Sequence, residues 1–140
     1  LPQKVFGVHC HETEPSSLTQ GIEAPFRAPH SRWGNVPAQL LRDVGVQVVA
    51  EGYEPGWLLA SHERSGRTTV FLQGHPEYER DDLAAEYLRD AAVGQSLPEN
   101  YFPQDDVRQA PRYDWYEARQ QLFSNFSATL LASQELTRVR

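Results

Sequence analysis

The sequence has one cysteine, no methionine and no long hydrophobic run. A single cysteine excludes an internal disulfide, so we expect a reducing, cytoplasmic setting. No stretch approaches the roughly 18 apolar residues that span a bilayer, so we expect no membrane association. A formal net charge of −6 without a basic run argues against nucleic acid as a partner. Because methionine is absent, we expect Leu1 to begin a fragment or a processed chain rather than a reading frame.

The 140 residues, 39% of them apolar, suffice for one domain with a hydrophobic core. Apolar runs predict strands over residues 4–11, 44–50, 56–61 and 68–73, the last two forming a hairpin. A helix is predicted from Asp81 to about Val93, where Gly94 ends it. A second helix is predicted from about Tyr113, with an apolar stripe of Trp115, Ala118, Leu122, Phe126 and Leu130. Residues 12–35 are predicted to be a loop whose segment 28–33 is a candidate binding element, and 94–112 an irregular connection.

The strand predicted over 68–73 runs into Gly74-His75-Pro76-Glu77-Tyr78. In α/β proteins, catalytic side chains gather just beyond the carboxyl ends of strands. A glutamate two residues after a histidine in extended backbone points to the same side. Glu77 can therefore bond one imidazole nitrogen of His75 and leave the other free to take a proton. The pattern predicts a base and its orienting carboxylate, and what it lacks is a nucleophile.

Six ordered segments carry a resemblance to a known family. The His-Pro-Glu motif resembles the end of the class I glutamine amidotransferase-like fold, in which a Cys-His-Glu triad catalyses acyl transfer. Together the segments resemble the homoserine O-acyltransferase family, the O-succinyltransferases and O-acetyltransferases of methionine biosynthesis. The resemblance covers the whole chain but only the C-terminal half of that family's length. The segments are Lys4-Val5-Phe6-Gly7-Val8, Ala28-Pro29-His30-Ser31-Arg32, Gly74-His75-Pro76-Glu77-Tyr78, Glu86-Tyr87-Leu88-Arg89-Asp90, Asn100-Tyr101-Phe102-Pro103 and Leu122-Phe123-Ser124-Asn125.

The resemblance implies a three-layer, flavodoxin-like α/β fold. Residues 1–140 would form its C-terminal half, and the N-terminal half with the nucleophilic cysteine would be a partner chain or a part of the protein outside these residues. It also implies an acyl-enzyme intermediate that forms from acetyl-CoA or succinyl-CoA and transfers its acyl group to L-homoserine. Acyl-CoA would be a co-substrate, and no cofactor is expected. His75 and Glu77 take the family's catalytic positions, while Lys4, Ser31 and Arg89 take the amino-acid contacts. A homodimer of complete units is the implied assembly, and no metal is expected.

Cys10 is not predicted to replace the missing nucleophile. It lies inside the first predicted strand, between His9 and His11, and not at a helix N-terminus that would lower its pKa. The two histidines point to one side of the strand and could bind a metal with Glu12. Their spacing lacks the further ligands of a zinc signature, so we predict structural or surface roles for them. Ala118 stands where the family usually has a histidine, which predicts a local packing change.

Three other functions remain open on the sequence. A glutamine amidotransferase or a related hydrolase would use the same triad to release ammonia or cleave an amide. A serine O-acyltransferase would use the same acyl-enzyme with a shorter acceptor. A non-catalytic fragment would bind a partner or an amino acid through an exposed sheet edge. Ser31 and Arg89 favour an acyltransferase, and a cysteine-bearing companion chain would separate the catalytic functions from the last.

Overall fold

A five-stranded antiparallel sheet organises the chain. The computed structural model describes the backbone of residues 3–138 and the side chains of residues 3–132. The strands lie in the order β2-β1-β3-β4-β5, with every neighbouring pair antiparallel. Helices pack against this sheet, so the fold is mixed α/β. The strands are β1 (Val5–Thr13), β2 (Phe26–Arg32), β3 (Gln47–Gly52), β4 (Gly56–Arg64) and β5 (Arg67–Leu72).

Four of these strands confirm the predictions from the sequence, including the β4–β5 hairpin, in which Arg64 pairs with Arg67. The prediction of a loop over residues 12–35 was wrong in part. Residues 26–32 form β2, and every residue of β2 pairs with β1. Two features obscured this strand. Pro29 interrupts it, and one of its fully buried residues is the polar His30. A short helix, α1 (Ala38–Asp43), also forms where no element was predicted.

The two longer helices follow their predicted limits closely. Helix α2 (Asp82–Asp90) continues as a 3-10 turn over 91–93, and Gly94 ends it in a left-handed conformation with φ of 87°. Helix α3 (Tyr116–Arg138) begins three residues later than predicted. In its stripe Trp115 and Leu122 are buried, whereas Leu130 is 52% exposed. None of the helices in the described part of the chain is long and apolar enough to cross a membrane.

One hydrophobic cluster joins β1, α2 and the start of α3. Phe6 of β1, Leu83 of α2 and Trp115, which precedes α3, pack together in this cluster and are all buried. The indole Nε1 of Trp115 also donates a hydrogen bond of 2.9 Å to the backbone oxygen of Tyr78. This packing holds the segment after β5 against α2. The cluster consists of Phe6, Val8, Leu83, Tyr101, Phe102 and Trp115.

Candidate active site

The segment that follows β5 is fixed by backbone hydrogen bonds. The amide of Gln73 donates to the oxygen of Leu58 at 2.9 Å, which extends the hairpin by one residue. The amide of His75 then donates to the oxygen of Pro29 on β2 at 2.8 Å, and that of Tyr78 to the oxygen of His75 at 3.1 Å. His75 therefore lies just beyond a strand end, as predicted, and its backbone is held by a second strand.

His75 and Glu77 form a hydrogen-bonded pair, with 2.8 Å between Nδ1 and Oε1. The side chains are 32% and 49% exposed, so solvent reaches both. The hydrogen bond to Glu77 raises the pKa of His75, and it outweighs partial burial, which acts in the opposite direction. Partial burial raises the pKa of Glu77, but the hydrogen bonds from His75 and the backbone, together with the charges of His75 and Arg119, outweigh it, and the pKa is lowered overall. The pair thus stabilises an imidazolium and leaves Nε2 as the nitrogen not bonded to Glu77.

A largely buried carboxylate, that of Glu86, lies beside this pair. Glu86 on α2 accepts hydrogen bonds from three elements: from Lys4 Nζ at 3.2 Å, from Ser31 Oγ at 2.5 Å and from the Tyr78 hydroxyl at 2.5 Å. The ring of Tyr78 stacks on that of His75, with centroids 4.4 Å apart. Through Tyr78, the Glu86 cluster and the His75–Glu77 pair form one continuous site.

The electrostatics of the Glu86 cluster favour one charge state. The side chains of Lys4 and Glu86 are only 8% and 16% exposed. Burial raises the pKa of Glu86, but the hydrogen bonds from Ser31, Tyr78 and Lys4 prevail, and the pKa falls below its usual value. Burial, followed by the hydrogen bond to Glu86, raises the pKa of Tyr78. Glu86 is therefore an anion and Tyr78 a neutral donor at neutral pH.

Arg89 lies three residues after Glu86 on α2, but its guanidinium points elsewhere. Nε and Nη2 donate to the two carboxylate oxygens of Asp90 at 2.6 and 2.7 Å. This bidentate bond raises the pKa of Arg89. The side chain is 67% exposed. The structure thus brings Lys4 and Ser31 together at Glu86, whereas Arg89 is at the edge of the same helix and bound to its neighbour.

Three buried histidines lie behind the site. His9 and His11 project from β1 on one side, as predicted, and His30 projects from β2. The Nε2 atoms of His11 and His30 are 2.9 Å apart, so one donates a hydrogen bond to the other. Burial, reinforced by the neighbouring histidines, lowers the pKa of His11 to about 4 and of His30 to about 2. All of this supports neutral rings, with a structural role for His11 and His30. Cys10, between them in sequence, is exposed.

Sequence reasoning missed Glu86, Tyr78 and His30 as site residues, although all three stand in the quoted segments. Glu86 and Arg89 are three residues apart on a predicted helix, which marks them as neighbours on one face. That spacing was a usable signal for Glu86. Tyr78 precedes the helix in a turn, so no periodicity relates it to Glu86. The signal for His30 was its place in segment 28–33, the candidate binding element.

Comparisons with known proteins agree with this picture. A family model described as homoserine O-succinyltransferase matches residues 1–135. The chain is 42% identical over 130 residues to a homoserine O-succinyltransferase of Edwardsiella ictaluri, a match covering 89% of this chain and 41% of the relative. It is 41% identical to one of Alteromonas mediterranea over the same shares, and 37% identical to a homoserine O-acetyltransferase of Clostridium beijerinckii, covering 90% and 42%. The chain spans about two fifths of the length of these relatives. It belongs to the homoserine O-succinyltransferase family.

Proposed function

We propose that this chain supplies the base and the amino-acid contacts of a homoserine O-acyltransferase, a cytoplasmic enzyme of methionine biosynthesis. The observation that carries this is the 2.8 Å hydrogen bond between His75 and Glu77 at a strand end, in a chain of this family. The nucleophilic cysteine belongs to an N-terminal half that pairs with this chain. This chain matches 41% of the length of the Edwardsiella ictaluri relative.

In this proposal the antiparallel sheet and its helices are the C-terminal part of a three-layer, flavodoxin-like fold. The N-terminal half adds the remaining layers and carries the cysteine to the side of His75 that solvent now reaches. Two complete units then associate as a homodimer. Acyl-CoA is a co-substrate that leaves as free coenzyme A, so the reaction needs no cofactor.

The first half of the reaction forms an acyl-enzyme. Nε2 of His75 takes the proton of the cysteine thiol, and the thiolate adds to the thioester carbonyl of acyl-CoA. The carbon–sulfur bond to coenzyme A then breaks, and the departing thiolate takes the proton from His75. Glu77 holds the imidazole in place through Nδ1 and stabilises its protonated form. The raised pKa of His75 is consistent with this role.

The second half transfers the acyl group to homoserine. Nε2 of His75 takes the proton of the substrate hydroxyl, whose oxygen attacks the acyl-enzyme carbonyl. The cysteine thiolate leaves and takes the proton back, which restores the starting state. The donor is succinyl-CoA or acetyl-CoA, the two acyl groups named in the matching relatives.

The amino-acid end of homoserine lies against Lys4, Ser31 and Arg89. Lys4 and Ser31 are pre-positioned by hydrogen bonds to Glu86. Arg89 reaches the substrate by exchanging the carboxylate of Asp90 for that of homoserine, since a guanidinium binds either one through two parallel hydrogen bonds. Because 67% of the Arg89 side chain is exposed, a change of rotamer meets little steric obstruction once the bond to Asp90 is exchanged.

The test is intact mass spectrometry of this chain co-purified with the N-terminal half of a family member. The complex is incubated with succinyl-CoA or acetyl-CoA, and homoserine is then added. We expect one acyl group on a cysteine of the companion chain and its loss to homoserine. His75→Ala should prevent acylation. His62→Ala is a matched control, because His62 lies on β4 away from the site.

Three results would contradict the proposal: no acyl uptake by the complex, an acyl group on Cys10, or equal acylation with and without His75. Release of ammonia from glutamine without acyl uptake would favour an amidotransferase instead. Acyl transfer to serine but not to homoserine would change the acceptor. Native mass spectrometry of the same sample tests the homodimer.

A further inference from the structure

A second group of side chains converges on β1 outside the candidate active site. A ring nitrogen of His9 and carboxylate oxygens of Glu54 and Glu99 all lie within 4.8 Å of one another. In sequence, His9 lies near His11 and Glu12, whereas the fold joins it to residues 45 and 90 positions away in the chain. All three come from different segments: β1, the β3–β4 turn and the connection after α2.

His9 is the feature that points to a ligand. It is only 6% exposed, yet its Nε2 has no hydrogen-bond partner. A buried polar atom without a partner is costly, so such atoms are normally satisfied by protein, water or an ion. Burial lowers the pKa of His9, against the pull of Glu99 and Glu54. The ring is therefore neutral at neutral pH and retains a lone pair.

The two carboxylates are also uncommitted. Glu54 and Glu99 are both exposed, and neither side chain forms a hydrogen bond or ion pair within the described part of the chain. The backbone of Glu99 is nonetheless fixed, because its amide donates to Phe6 and its oxygen accepts from Val8, each at 2.9 Å. Because both carboxylates are exposed, side-chain rotations can bring them closer to an ion.

Two glycines let these segments approach β1. A Cβ at Gly7 would overlap the backbone of Glu99, and a Cβ at Gly52 would overlap the backbone oxygen of Cys10. Only glycine allows contacts this close. The result is a cleft of about 580 Å³ that His9 and Glu54 line together with Asn100 and Arg112.

We propose that His9, Glu54 and Glu99 form a binding site for a divalent cation of the zinc class, which ties the three segments together. One imidazole and two carboxylates give three protein ligands, and a water completes a tetrahedral shell. Zinc bonds to such ligands measure about 2 Å, so two ligands of one ion lie at most about 4 Å apart. The observed 4.8 Å needs only a small movement of the exposed carboxylates. Imidazole as a ligand favours zinc over magnesium or calcium, which prefer oxygen shells.

The test is titration of the metal-free chain with zinc chloride, followed by calorimetry and by thermal unfolding. We expect one zinc ion per chain and an unfolding temperature that rises with zinc concentration. Glu54→Gln and Glu99→Gln should each weaken binding by at least about tenfold, since even second-shell changes cost that much. Both residues are exposed, so the variants should fold.

Three controls distinguish zinc binding at this site from nonspecific zinc binding. Glu63→Gln removes an exposed carboxylate of β4 that does not line the cleft, and it should leave affinity unchanged. Cys10→Ser removes the nearby thiol and should also leave affinity unchanged. Magnesium should bind far more weakly than zinc. The proposal is overturned if zinc does not bind, if the Glu54 and Glu99 variants bind like the parent, or if Cys10→Ser abolishes binding.

Discussion

The ammonium of Lys4 lies 3.2 Å from the carboxylate of Glu86, and both side chains are largely buried although 82 residues separate them in sequence. Removing one partner of a buried pair leaves the other charge without compensation. We therefore expect Glu86→Gln to lower the free energy of unfolding by about 3 kcal/mol, measured by urea denaturation. A loss would also follow from Lys4→Met, but a smaller one, because Glu86 keeps two other donors.

The Arg42–Glu51 pair provides a matched control for that experiment. Its side chains are 46% and 38% exposed, so solvent screens the interaction. Glu51→Gln should cost no more than about 1 kcal/mol. Equal losses for Glu86→Gln and Glu51→Gln would show that the Glu86 cluster does not stabilise the fold.

Replacing Glu77 should change the titration of His75. The hydrogen bond to Glu77 is the largest cause of the raised pKa of His75, so Glu77→Gln should lower that pKa. NMR titration of the imidazole Cε1 proton measures it directly. In an active complex the base must be neutral, so the acidic limb of the kcat/KM profile should move to lower pH in the variant. A pKa that stays constant or rises would contradict the assigned pairing.

The same pair has a consequence for stability. A histidine whose folded pKa is raised contributes stability that is complete below the unfolded pKa and is lost as pH rises through the folded pKa. The contribution of His75 should therefore decline as pH rises above about 6.5, the ordinary histidine value. In Glu77→Gln this dependence should be smaller. Urea denaturation at several pH values between 5 and 9 would measure it, against a His62→Gln control.

Arg89 should affect substrate binding without affecting stability. Its guanidinium is exposed and bonded only to the adjacent Asp90 in the described structure. If it binds the carboxylate of homoserine, Arg89→Ala should raise KM for homoserine about tenfold or more, as expected for a lost charged hydrogen bond. Arg108→Ala is the control, because Arg108 forms a similar bidentate bond with Asp106 and is 86% exposed. Equal KM values for the two variants would remove Arg89 from the site.

Gly7 should not tolerate a side chain. Its φ of 151° is rare for other residues, and an added Cβ would overlap the backbone of Glu99. We expect Gly7→Ala to lower the free energy of unfolding by about 3 kcal/mol, at the upper end for an overpacked site. Gly34→Ala should change it by less than about 0.5 kcal/mol, since nothing lies within 4 Å of that position. Calorimetric unfolding of the two variants would distinguish these outcomes.

The parts of the fold that the sequence predicted are those encoded by neighbouring residues. The β4–β5 hairpin has the turn residues Ser65 and Gly66 between two apolar runs, and α2 has acidic residues at its start and Gly94 at its end. Strand β2 was missed because its buried face includes His30, whose polar ring is acceptable there only because His11 bonds to it. That partner lies on another strand, beyond the reach of local patterns.

In the candidate site, too, contacts between residues close in sequence were predicted, and contacts between distant residues were not. His75 and Glu77 are two residues apart, and their contact was predicted from extended backbone. The structure contains the contact, but in a turn in which the amide of Tyr78 donates to the oxygen of His75. Lys4 precedes β1, Ser31 lies on β2 and Glu86 on α2, and only tertiary packing brings them together. The family resemblance selected Lys4 and Ser31 but did not select the carboxylate that joins them. The orientation of Arg89 depends on rotamer choice at an exposed position, which sequence does not determine.

The position of β1 also bears on how the chain acquires its structure. This strand bonds to β2, to β3 and to the backbone of Glu99, so its pairing is complete only when residues more than 90 positions downstream have arrived. Pairing over such sequence distances carries a large loop-closure entropy and slows folding. Refolding should therefore take milliseconds to seconds rather than microseconds. During synthesis, the backbone groups of Phe6 and Val8 that bond to Glu99 would stay unpaired until the connection after α2 has left the ribosome.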